Sequence, residues 1–381
     1  MSIKLAVNGI PLLGEQSGVG KYTREVTSRL ALRQKQFEIM YYYGYFSRQL
    51  PNVEEPGTGC SLLSQLKQSL VAYPLLKRIC RKAVHLVSPL LAGQYDLYFE
   101  PNFALQPGIH ADRTVITVHD FSCFLHPEWH PADRVAYMEQ HMWPSLERAD
   151  MIITVSEAMR REAVEQFGLD ASRVTTILNG VDHQRYQVPT VDGVRALRQS
   201  WRLPEQFILF VGTVEPRKNL KNVLLAYKAL PQDVRNAFPL LLAGGKGWNN
   251  AELHDLMDSI PQVRQLGFVP ETDLPTLYGA ASLMVYPSWY EGFGLPVVEA
   301  MACGCPVLTS DHPALTEVGG DAVVSVPPAD VDGLREAMRM MLEDTVLQEK
   351  LRRVGPLRAA RFNWDVSAHQ HGELFQSLCN R

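Results

Sequence analysis

The chain has 381 residues, of which 46% are hydrophobic and 20% charged, and its formal net charge is −4. This length is enough for about two domains, each with its own hydrophobic core. The slightly acidic balance argues against a generally basic nucleic-acid-binding protein, so no nucleic-acid partner is expected. No run of about 18 uncharged apolar residues occurs, and no signal-peptide layout precedes the first strand, which predicts a cytoplasmic protein.

The first half of the chain predicts strands that alternate with helices. A strand at 3–7 precedes a helix at 22–33 and a strand at 38–43. Further β-rich runs lie at 97–99, 115–118, 151–155 and 174–178. This alternation is typical of an α/β domain built on a parallel sheet. Ligands bind at the carboxyl ends of such strands, which makes His119, directly after the 115–118 run, a candidate site residue.

A glycine-rich loop, N-G-I-P-L-L-G-E-Q-S-G-V-G-K-Y-T, follows the first predicted strand. It is not a Walker A loop, because five residues separate Gly14 from Gly20 and Tyr22 follows the lysine in place of Ser or Thr. It does not complete G-x-G-x-x-G either, because Thr23 stands at the third glycine. An NAD-dependent oxidoreductase is therefore disfavoured.

Residues 61–90 contain five basic residues and no acidic residue among many Leu, Val and Ile positions. The basic residues are Lys67, Lys77, Arg78, Arg81 and Lys82. Each basic residue near an anionic membrane surface contributes about 1 kcal/mol, so the segment predicts reversible docking there. The alternative is a pair of helices that packs on the core with a solvated basic face.

The domain boundary is predicted within 182–204, which is polar, rich in proline and glycine, and lacks a strand pattern. It separates a first domain at 1–185 from a second at 204–363. The second domain has predicted strands at 207–211, 240–243, 263–266, 283–286, 306–309 and 322–326. Predicted helices lie between them at 219–230, 250–259, 272–281, 295–303 and 330–343. This alternation again predicts a doubly wound parallel sheet.

Gly212, Arg217 and Lys218 follow the first strand of the second domain. Two cations at the carboxyl end of a strand can neutralise a diphosphate, whereas the alternative is a solvated basic pair before a helix. Asp330 and Asp332 mimic a metal-binding D-x-D, but their place before a helix favours capping. The sequence predicts no metal site.

The segment 282–310 places two glutamates and a glycine turn between two predicted strands. Gly292 and Gly294 let the backbone approach a ligand, and the helix that starts near Pro296 offers unpaired N–H donors. The carboxylates of Glu291 and Glu299 can accept hydrogen bonds from sugar hydroxyls. We therefore predict a polyhydroxylated anionic ligand, the alternative being a glycine loop with two solvated glutamates.

The E-x7-E spacing of Glu291 and Glu299 resembles the signature of retaining nucleotide-sugar glycosyltransferases of family 4. That family has the GT-B fold, in which two Rossmann-like doubly wound α/β domains face each other across a cleft. The resemblance implies that Glu299 holds the nucleotide ribose and that a C-terminal helix, at 364–381, packs back on the first domain. It also implies that the donor sugar is held by Glu291 and by the amides of Gly292, Phe293, Gly294 and Leu295.

The same resemblance implies the remaining roles. Arg217 and Lys218 would bind the donor diphosphate in place of a metal, near Gly212, and His119 would contact the donor sugar at the reacting carbon. The loop around Ser17 and Gly18 resembles the family's G-G-V-G-x-Y loop over the donor phosphate, with Ser17 at the first glycine. The segment from Gly244 to Trp248 resembles a donor-side loop of mannosyltransferases that use GDP-mannose.

The function implied is that of bacterial O-antigen chain mannosyltransferases. Such an enzyme moves mannose from GDP-mannose to a lipid-linked (polyprenyl diphosphate) oligosaccharide, without a cofactor, and this one would lie peripherally on the cytoplasmic face of the inner membrane. The alternatives are a transferase that uses a UDP- or ADP-linked sugar, a sugar-nucleotide epimerase or hydrolase on the same fold, and a non-catalytic binding module.

Overall fold

The computed structural model of the protein describes residues 2–13, 18–51, 94–245 and 251–380. These residues form two β-sheets, one of seven strands and one of six, with helices packed on both. The predictions for Ser17, for Trp248 and for the basic segment at 61–90 fall outside the described residues. In the described parts of the chain, no helix is both long enough and apolar enough to cross a membrane.

The first sheet is parallel apart from one short edge strand. Its strands are β1 (Ile3–Asn8), β2 (Phe37–Tyr42), β3 (Phe46–Ser47), β4 (Tyr95–Glu100), β5 (Ala111–Val118), β6 (Met151–Thr154) and β7 (Val174–Thr176). They are arranged in the order β3-β2-β1-β4-β5-β6-β7, and only β3 runs antiparallel to its neighbour. The central strands β1 and β4 are buried at five of their six positions, because helices cover both faces of such a sheet.

The second sheet is entirely parallel. Its strands are β8 (Ile208–Val211), β9 (Leu240–Ala243), β10 (Val263–Gly267), β11 (Leu283–Tyr286), β12 (Val307–Ser310) and β13 (Val324–Val326). They are arranged in the order β10-β9-β8-β11-β12-β13. Most of these strands begin and end within two residues of the ranges predicted from the sequence.

The helices connect these strands. Those before β8 are α1 (Gly18–Ala31), α2 (Ser122–Leu125), α3 (Ala132–Arg148), α4 (Glu157–Glu165) and α5 (Val191–Trp201). Those after it are α6 (Leu220–Lys228), α7 (Gln232–Ala237), α8 (Ala251–Asp258), α9 (Leu274–Ala280), α10 (Leu295–Ala302), α11 (Pro313–Gly319), α12 (Val331–Glu343), α13 (Thr345–Ala359) and α14 (Trp364–Cys379). Short 3-10 turns lie at Ile10–Leu12, Pro127–Trp129, Ala171–Arg173, Pro216–Lys218 and Gly320–Ala322.

Helix α5 lies inside the segment at 182–204, for which the polar composition predicts a domain boundary without regular structure. Its N-terminus is capped by Thr190, whose hydroxyl accepts a hydrogen bond from the amide of Gly193 at 3.1 Å. Leu197 is buried, and Val194 and Trp201 pack against the core at helical spacing. This apolar spacing was the available signal, and the nearby prolines and glycine obscured it.

The strand order of each sheet reverses at one point, between β1 and β4 in the first sheet and between β8 and β11 in the second. In open parallel sheets, ligands bind in the crevice outside the carboxyl ends of the strands at such a point. The loop after β8 carries Arg217 and Lys218, and the loop after β11 carries Glu291. Topology therefore brings these predicted site residues to one crevice.

The two domains touch through the residues that follow these strand ends. The hydroxyl of Ser156, which caps α4, donates to the carbonyl oxygen of Gly292 at 2.7 Å. The hydroxyl of Tyr290 accepts from the amide of Phe121 at 3.1 Å and contacts the carboxylate of Glu162. The loop that carries Glu291 is thus held by the first domain on both sides of that residue.

Helix α14 packs on the first sheet although it follows the second domain in sequence. Trp364 and Phe375 have no exposed surface and join the core of Leu5 and Val7. On the same helix, Nδ1 of His371 donates to the carbonyl oxygen of Ser367 at 2.7 Å. Nε2 must therefore accept the hydrogen bond from the hydroxyl of Tyr22, also at 2.7 Å. Burial lowers the pKa of His371 to about 4, so its ring is neutral at pH 7.

We expect His371 to make the stability of the protein sensitive to acid. An unfolded histidine takes up a proton near its ordinary pKa of 6.5, but folded His371 does so only near 4. The unfolded state therefore binds more protons between these values, and stability is lost as pH falls. His371 should account for about 2 kcal/mol of unfolding free energy lost between about pH 7 and about pH 5.

Urea denaturation of the wild type and of His371→Gln at the two pH values measures this contribution. The variant should lose less stability on acidification than the wild type does. A control variant at the exposed His369 of the same helix, His369→Gln, should behave as the wild type. An unchanged pH dependence in His371→Gln would contradict the assignment.

Candidate active site

One wall of the crevice is the turn from β11 into α10. Gly294 has a left-handed φ of 101° and begins the helix, with Pro296 in its first turn. A Cβ on Gly292 would lie 1.7 Å from the carbonyl oxygen of His119, so only glycine permits this approach to the first domain. The first amides of α10 have no partner within the helix, so they remain candidates for binding a ligand.

Glu291 lies at the centre of a buried charged cluster. Its Oε2 accepts from Nη1 of Arg217 at 2.7 Å, and its Oε1 accepts from Nζ of Lys218 at 2.6 Å and from the hydroxyl of Tyr286 at 2.8 Å. Lys218 also contacts the Tyr286 hydroxyl, and Arg217 donates to Glu215 at 2.8 Å. The structure thus brings Glu291, Arg217 and Lys218 into direct contact.

The charged groups of this cluster shift one another's pKa values. Burial alone would raise the pKa of Glu291, but the charges of Arg217 and Lys218 outweigh it and hold that pKa well below its usual range. Burial also opposes the charged form of Arg217, yet Glu291 and Glu215 raise its pKa. Burial and the neighbouring Arg217 lower the pKa of Lys218. Glu291 is therefore a carboxylate and Arg217 a cation at neutral pH.

The loop that carries the two cations is fixed to the loops that follow β11 and β13. Asn219, with a left-handed φ of 59°, ends the 3-10 turn that contains Arg217 and Lys218. Its side-chain amide donates to the carbonyl oxygens of Pro287 at 3.0 Å and of Pro328 at 2.7 Å. Gly212 lies at the end of β8, where its Cβ position would be 3.8 Å from the stem of Lys218. These hydrogen bonds therefore fix the loop after β8 relative to the loops after β11 and β13.

Glu299 lies on α10, one helical turn deeper in the crevice than Leu295. Its Oε1 forms an ion pair with Lys21 of α1, and its Oε2 accepts from the hydroxyl of Tyr278 at 3.2 Å. The Cβ position of Gly18, the first residue of α1, lies 4.0 Å from the side chain of Leu295. The starts of α1 and α10 therefore meet across the cleft, and Gly18 lies beside the predicted donor site.

His119 is only partly buried, and its side chain is held by residues of the first domain. Its Nε2 donates to the carbonyl oxygen of Pro101 at 2.8 Å, and its ring contacts those of Tyr22 and Phe103. Burial lowers the pKa of His119, so the neutral ring carries its proton on Nε2 and leaves Nδ1 as an acceptor. Its backbone reaches the cleft at Gly292.

Two other predicted residues turn their side chains away from the charged cluster. The ring of Phe293 is buried and lies edge-on to Phe362, with ring centres 5.6 Å apart. The side chain of Leu295 packs against the core. Phe293 and Leu295 are therefore placed to offer a ligand their backbone amides rather than their side chains. The roles predicted for the site residues stay predictions.

Tyr286, Asn219 and Lys21 lie beside the predicted residues, although no sequence motif assigns them a role. Tyr286 was visible as a hydroxyl-bearing residue at the last position of a buried strand. Asn219 was visible as a residue type that tolerates left-handed backbone just after the cation pair. Lys21 had no local signal, because its partner Glu299 is 278 positions away.

The D-x-D sequence is a helix cap, as predicted. Asp330 accepts a hydrogen bond from the amide of Gly333 at 2.8 Å and so caps α12. Among the residues that the structure describes, no three His, Cys, Asp or Glu side chains are grouped to hold a metal ion.

Comparisons with known proteins agree with this architecture. Residues 16–185 match the family model for Glycosyltransferase Family 4, and residues 195–358 match that for Glycosyl transferases group 1. O-antigen chain mannosyltransferase B of Escherichia coli is 36% identical over 379 residues, which cover 97% of this chain and 98% of that protein. The serotype-specific mannosyltransferase WbdA of Escherichia coli is 32% identical over 268 residues, which cover 68% of this chain and 32% of that protein.

A solved structure of sucrose-phosphate synthase from Thermosynechococcus elongatus matches with a TM-score of 0.72 and 23% identity over 99% of both chains. Two Rossmann-like domains that meet across a cleft are the predicted GT-B architecture, which is confirmed. The family models and the 36% identical relative show that the protein is a glycosyltransferase. The two family models together cover most of the chain. The protein belongs to glycosyltransferase family 4.

Proposed function

We propose that this glycosyltransferase moves mannose from GDP-mannose to an oligosaccharide that is linked to a polyprenyl diphosphate lipid. The reaction would belong to the synthesis of O-antigen or a related polysaccharide. The observation that carries the proposal is the contact of Glu291 with Arg217 and Lys218 at the carboxyl edge of the second sheet. A carboxylate accepts hydrogen bonds from sugar hydroxyls, and the two cations bind phosphate oxygens. The names of mannosyltransferase B and WbdA support mannose as the sugar.

In this proposal, different residues of the crevice bind different parts of the nucleotide sugar. Glu291 and the amides of Gly292 to Leu295 hold the sugar, and Glu299 accepts hydrogen bonds from the ribose hydroxyls. Arg217 and Lys218 bind the diphosphate and stabilise the charge that grows on it as the glycosidic bond breaks. His119, whose backbone touches Gly292, borders the sugar from the first domain.

Retention of configuration is proposed to follow from attack on the face that the diphosphate leaves. The bond from the sugar's anomeric carbon to the phosphate oxygen breaks, and a bond to the acceptor oxygen forms on the same face. The departing phosphate takes the proton of the acceptor hydroxyl. Glu291, paired with two cations, is an orienting carboxylate in this scheme and forms no bond to the sugar.

A thermal-shift panel of GDP-, UDP-, ADP- and CDP-linked sugars tests the donor, and a transfer assay with a lipid-linked acceptor tests the reaction. GDP-mannose should raise the Tm most, because a ligand at about one hundred times its Kd stabilises the folded state by about 2.7 kcal/mol. A larger rise in Tm with a UDP- or ADP-linked sugar would identify that sugar as the donor in place of GDP-mannose. Donor consumption without acceptor would indicate an epimerase or hydrolase, and binding without turnover a binding module.

We expect transfer to persist in excess EDTA, because Arg217 and Lys218 take the place of a divalent cation at the diphosphate. Lys218→Ala should weaken nucleotide-sugar binding and slow transfer together, by at least about tenfold. Initial rates before and after chelation measure the dependence on metal. For Lys218→Ala, titration calorimetry measures nucleotide-sugar binding and initial rates measure transfer. A strict requirement for Mg²⁺ or Mn²⁺, restored after chelation, would show that the diphosphate site has been misassigned.

We propose further that the basic residues at 61–90 dock the protein on anionic lipid, where its acceptor lies. The wild type should sediment with anionic but not with neutral vesicles, and less at high salt, since charges are screened beyond about 8 Å at physiological ionic strength. A variant with Lys77, Arg78, Arg81 and Lys82 changed to Gln should stay in solution yet still use a water-soluble acceptor analogue. Equal partitioning of both proteins would refute the proposal.

A further inference from the structure

Lys21 and Glu299 form an ion pair between the two domains. Lys21 lies in the first turn of α1, and Glu299 lies in the middle of α10. Their side chains are only 13% and 7% exposed, so both charges have lost most of their contact with water. Such a pair is favourable only when further hydrogen bonds satisfy its members. The pair is thus part of the interior of the cleft.

Two tyrosines orient this pair. The ammonium group of Lys21 donates to the hydroxyl of Tyr186 at 3.2 Å and lies 4.5 Å from the centre of that ring. The hydroxyl of Tyr278 donates to the other oxygen of Glu299. An ammonium group has three N–H donors, and within the described residues the third donor of Lys21 meets no partner. Within the described residues, one N–H donor of Lys21 is therefore left for a ligand.

Charge balance identifies the kind of ligand. The two cations proposed for the diphosphate are already paired with carboxylates, because Arg217 contacts Glu215 and Glu291, and Lys218 contacts Glu291. A further cation would therefore strengthen the binding of an anionic diphosphate at this cluster. Lys21 is a further buried cation in the cleft, and its own counter-ion is the carboxylate proposed to bind ribose.

We propose that Lys21 is a phosphate-binding residue of the donor site, supplied by the first domain and held on Glu299 until the donor arrives. This inference rests on the proposed function, in which ribose hydroxyls donate to Glu299. Those hydroxyls replace the hydrogen bond from Lys21, and the ammonium group turns to the diphosphate. The ligand then joins α1 to α10 in place of the ion pair.

Titration calorimetry with GDP and with guanosine tests this, because the two probes share base and ribose and differ only in phosphate. Lys21→Met keeps the unbranched stem and removes the charge. We expect the Kd for GDP to rise about tenfold or more, while guanosine binds at least as well as to the wild type. Equal weakening of both probes would mean that Lys21 acts only through Glu299 or the fold. An unchanged Kd for GDP would exclude a phosphate contact.

Two further variants keep the result interpretable. Lys35→Met removes an exposed lysine just after α1 and should bind both probes as the wild type does. If Lys21→Met does not fold, judged by circular dichroism, Lys21→Gln takes the same test with the same expected and contrary results. UDP and uridine replace the probes if the wild type prefers uracil.

If the proposed function is wrong, the binding of GDP and guanosine changes in a different way. Glu299→Gln should weaken guanosine and GDP alike, because both carry ribose. Wild-type affinity for guanosine in that variant would remove the ribose role of Glu299, and with it the displacement of Lys21. A wild type that binds no nucleoside diphosphate would refute the donor site as a whole. A selective loss of GDP binding in Lys21→Met is expected only if the phosphate contact exists.

Discussion

Replacing Glu291 with glutamine is expected to lower kcat/KM for sugar transfer by at least about tenfold, or roughly 1.4 kcal/mol of transition-state stabilisation. Glutamine keeps the shape of the side chain but removes the charge that faces Arg217 and Lys218 at 2.7 and 2.6 Å. The two buried cations would then face a neutral amide, and their orientation toward the diphosphate would change. Initial rates at varied donor and acceptor concentrations measure the effect.

The matched control is Glu349→Gln, an exposed glutamate on α13 that should leave transfer unchanged. Circular dichroism should show both variants folded. Wild-type turnover by Glu291→Gln would sink the assignment of this residue to the donor sugar.

Gly292→Ala should abolish most transfer by changing shape alone. The new Cβ would lie 1.7 Å from the carbonyl oxygen of His119, and backbone on both sides cannot rotate away as a side chain can. Either the loop beside Glu291 or the end of β5 must move. Overpacking of this kind costs about 1–3 kcal/mol of stability, and misplacement of a reacting group by about 1 Å can cost about a hundredfold in rate.

Thermal denaturation and transfer rates together measure the two effects. Gly372→Ala on α14 is the control, because its Cβ would meet ordinary contacts at 3.4 Å, so both activity and Tm should stay near the wild type. A fully active Gly292→Ala protein would show that the two domains do not approach one another here during catalysis.

The part of the site that could be predicted from the sequence has local causes. The turn around Gly294 and Pro296 joins two short apolar runs, and each of these features acts over a few residues. Arg217 and Lys218 were located in the same way, because they follow a recognisable buried strand. The parallel order of the strands then brought these separate loops to one edge.

The contacts between the domains could not be predicted in this way. Tyr290 reaches Glu162 across 128 positions, and Lys21 reaches Glu299 across 278. No periodicity or turn signal relates residues so far apart, because their proximity results from how two complete domains pack. The orientation of the His119 ring, which contacts Tyr22 and bonds to Pro101, likewise depends on packing rather than on a motif.

The residues on either side of Glu291 are anchored to the first domain, and this bears on how readily water could hydrolyse a bound nucleotide sugar. Tyr290 is tied to Phe121, and Gly292 is tied to Ser156, so any separation of the domains pulls on both ends of the peptide that positions Glu291. We therefore expect that a protein with separated domains would hold a nucleotide sugar without presenting an assembled site to water. Hydrolysis of the activated sugar would then be slow until the domains close and exclude bulk solvent.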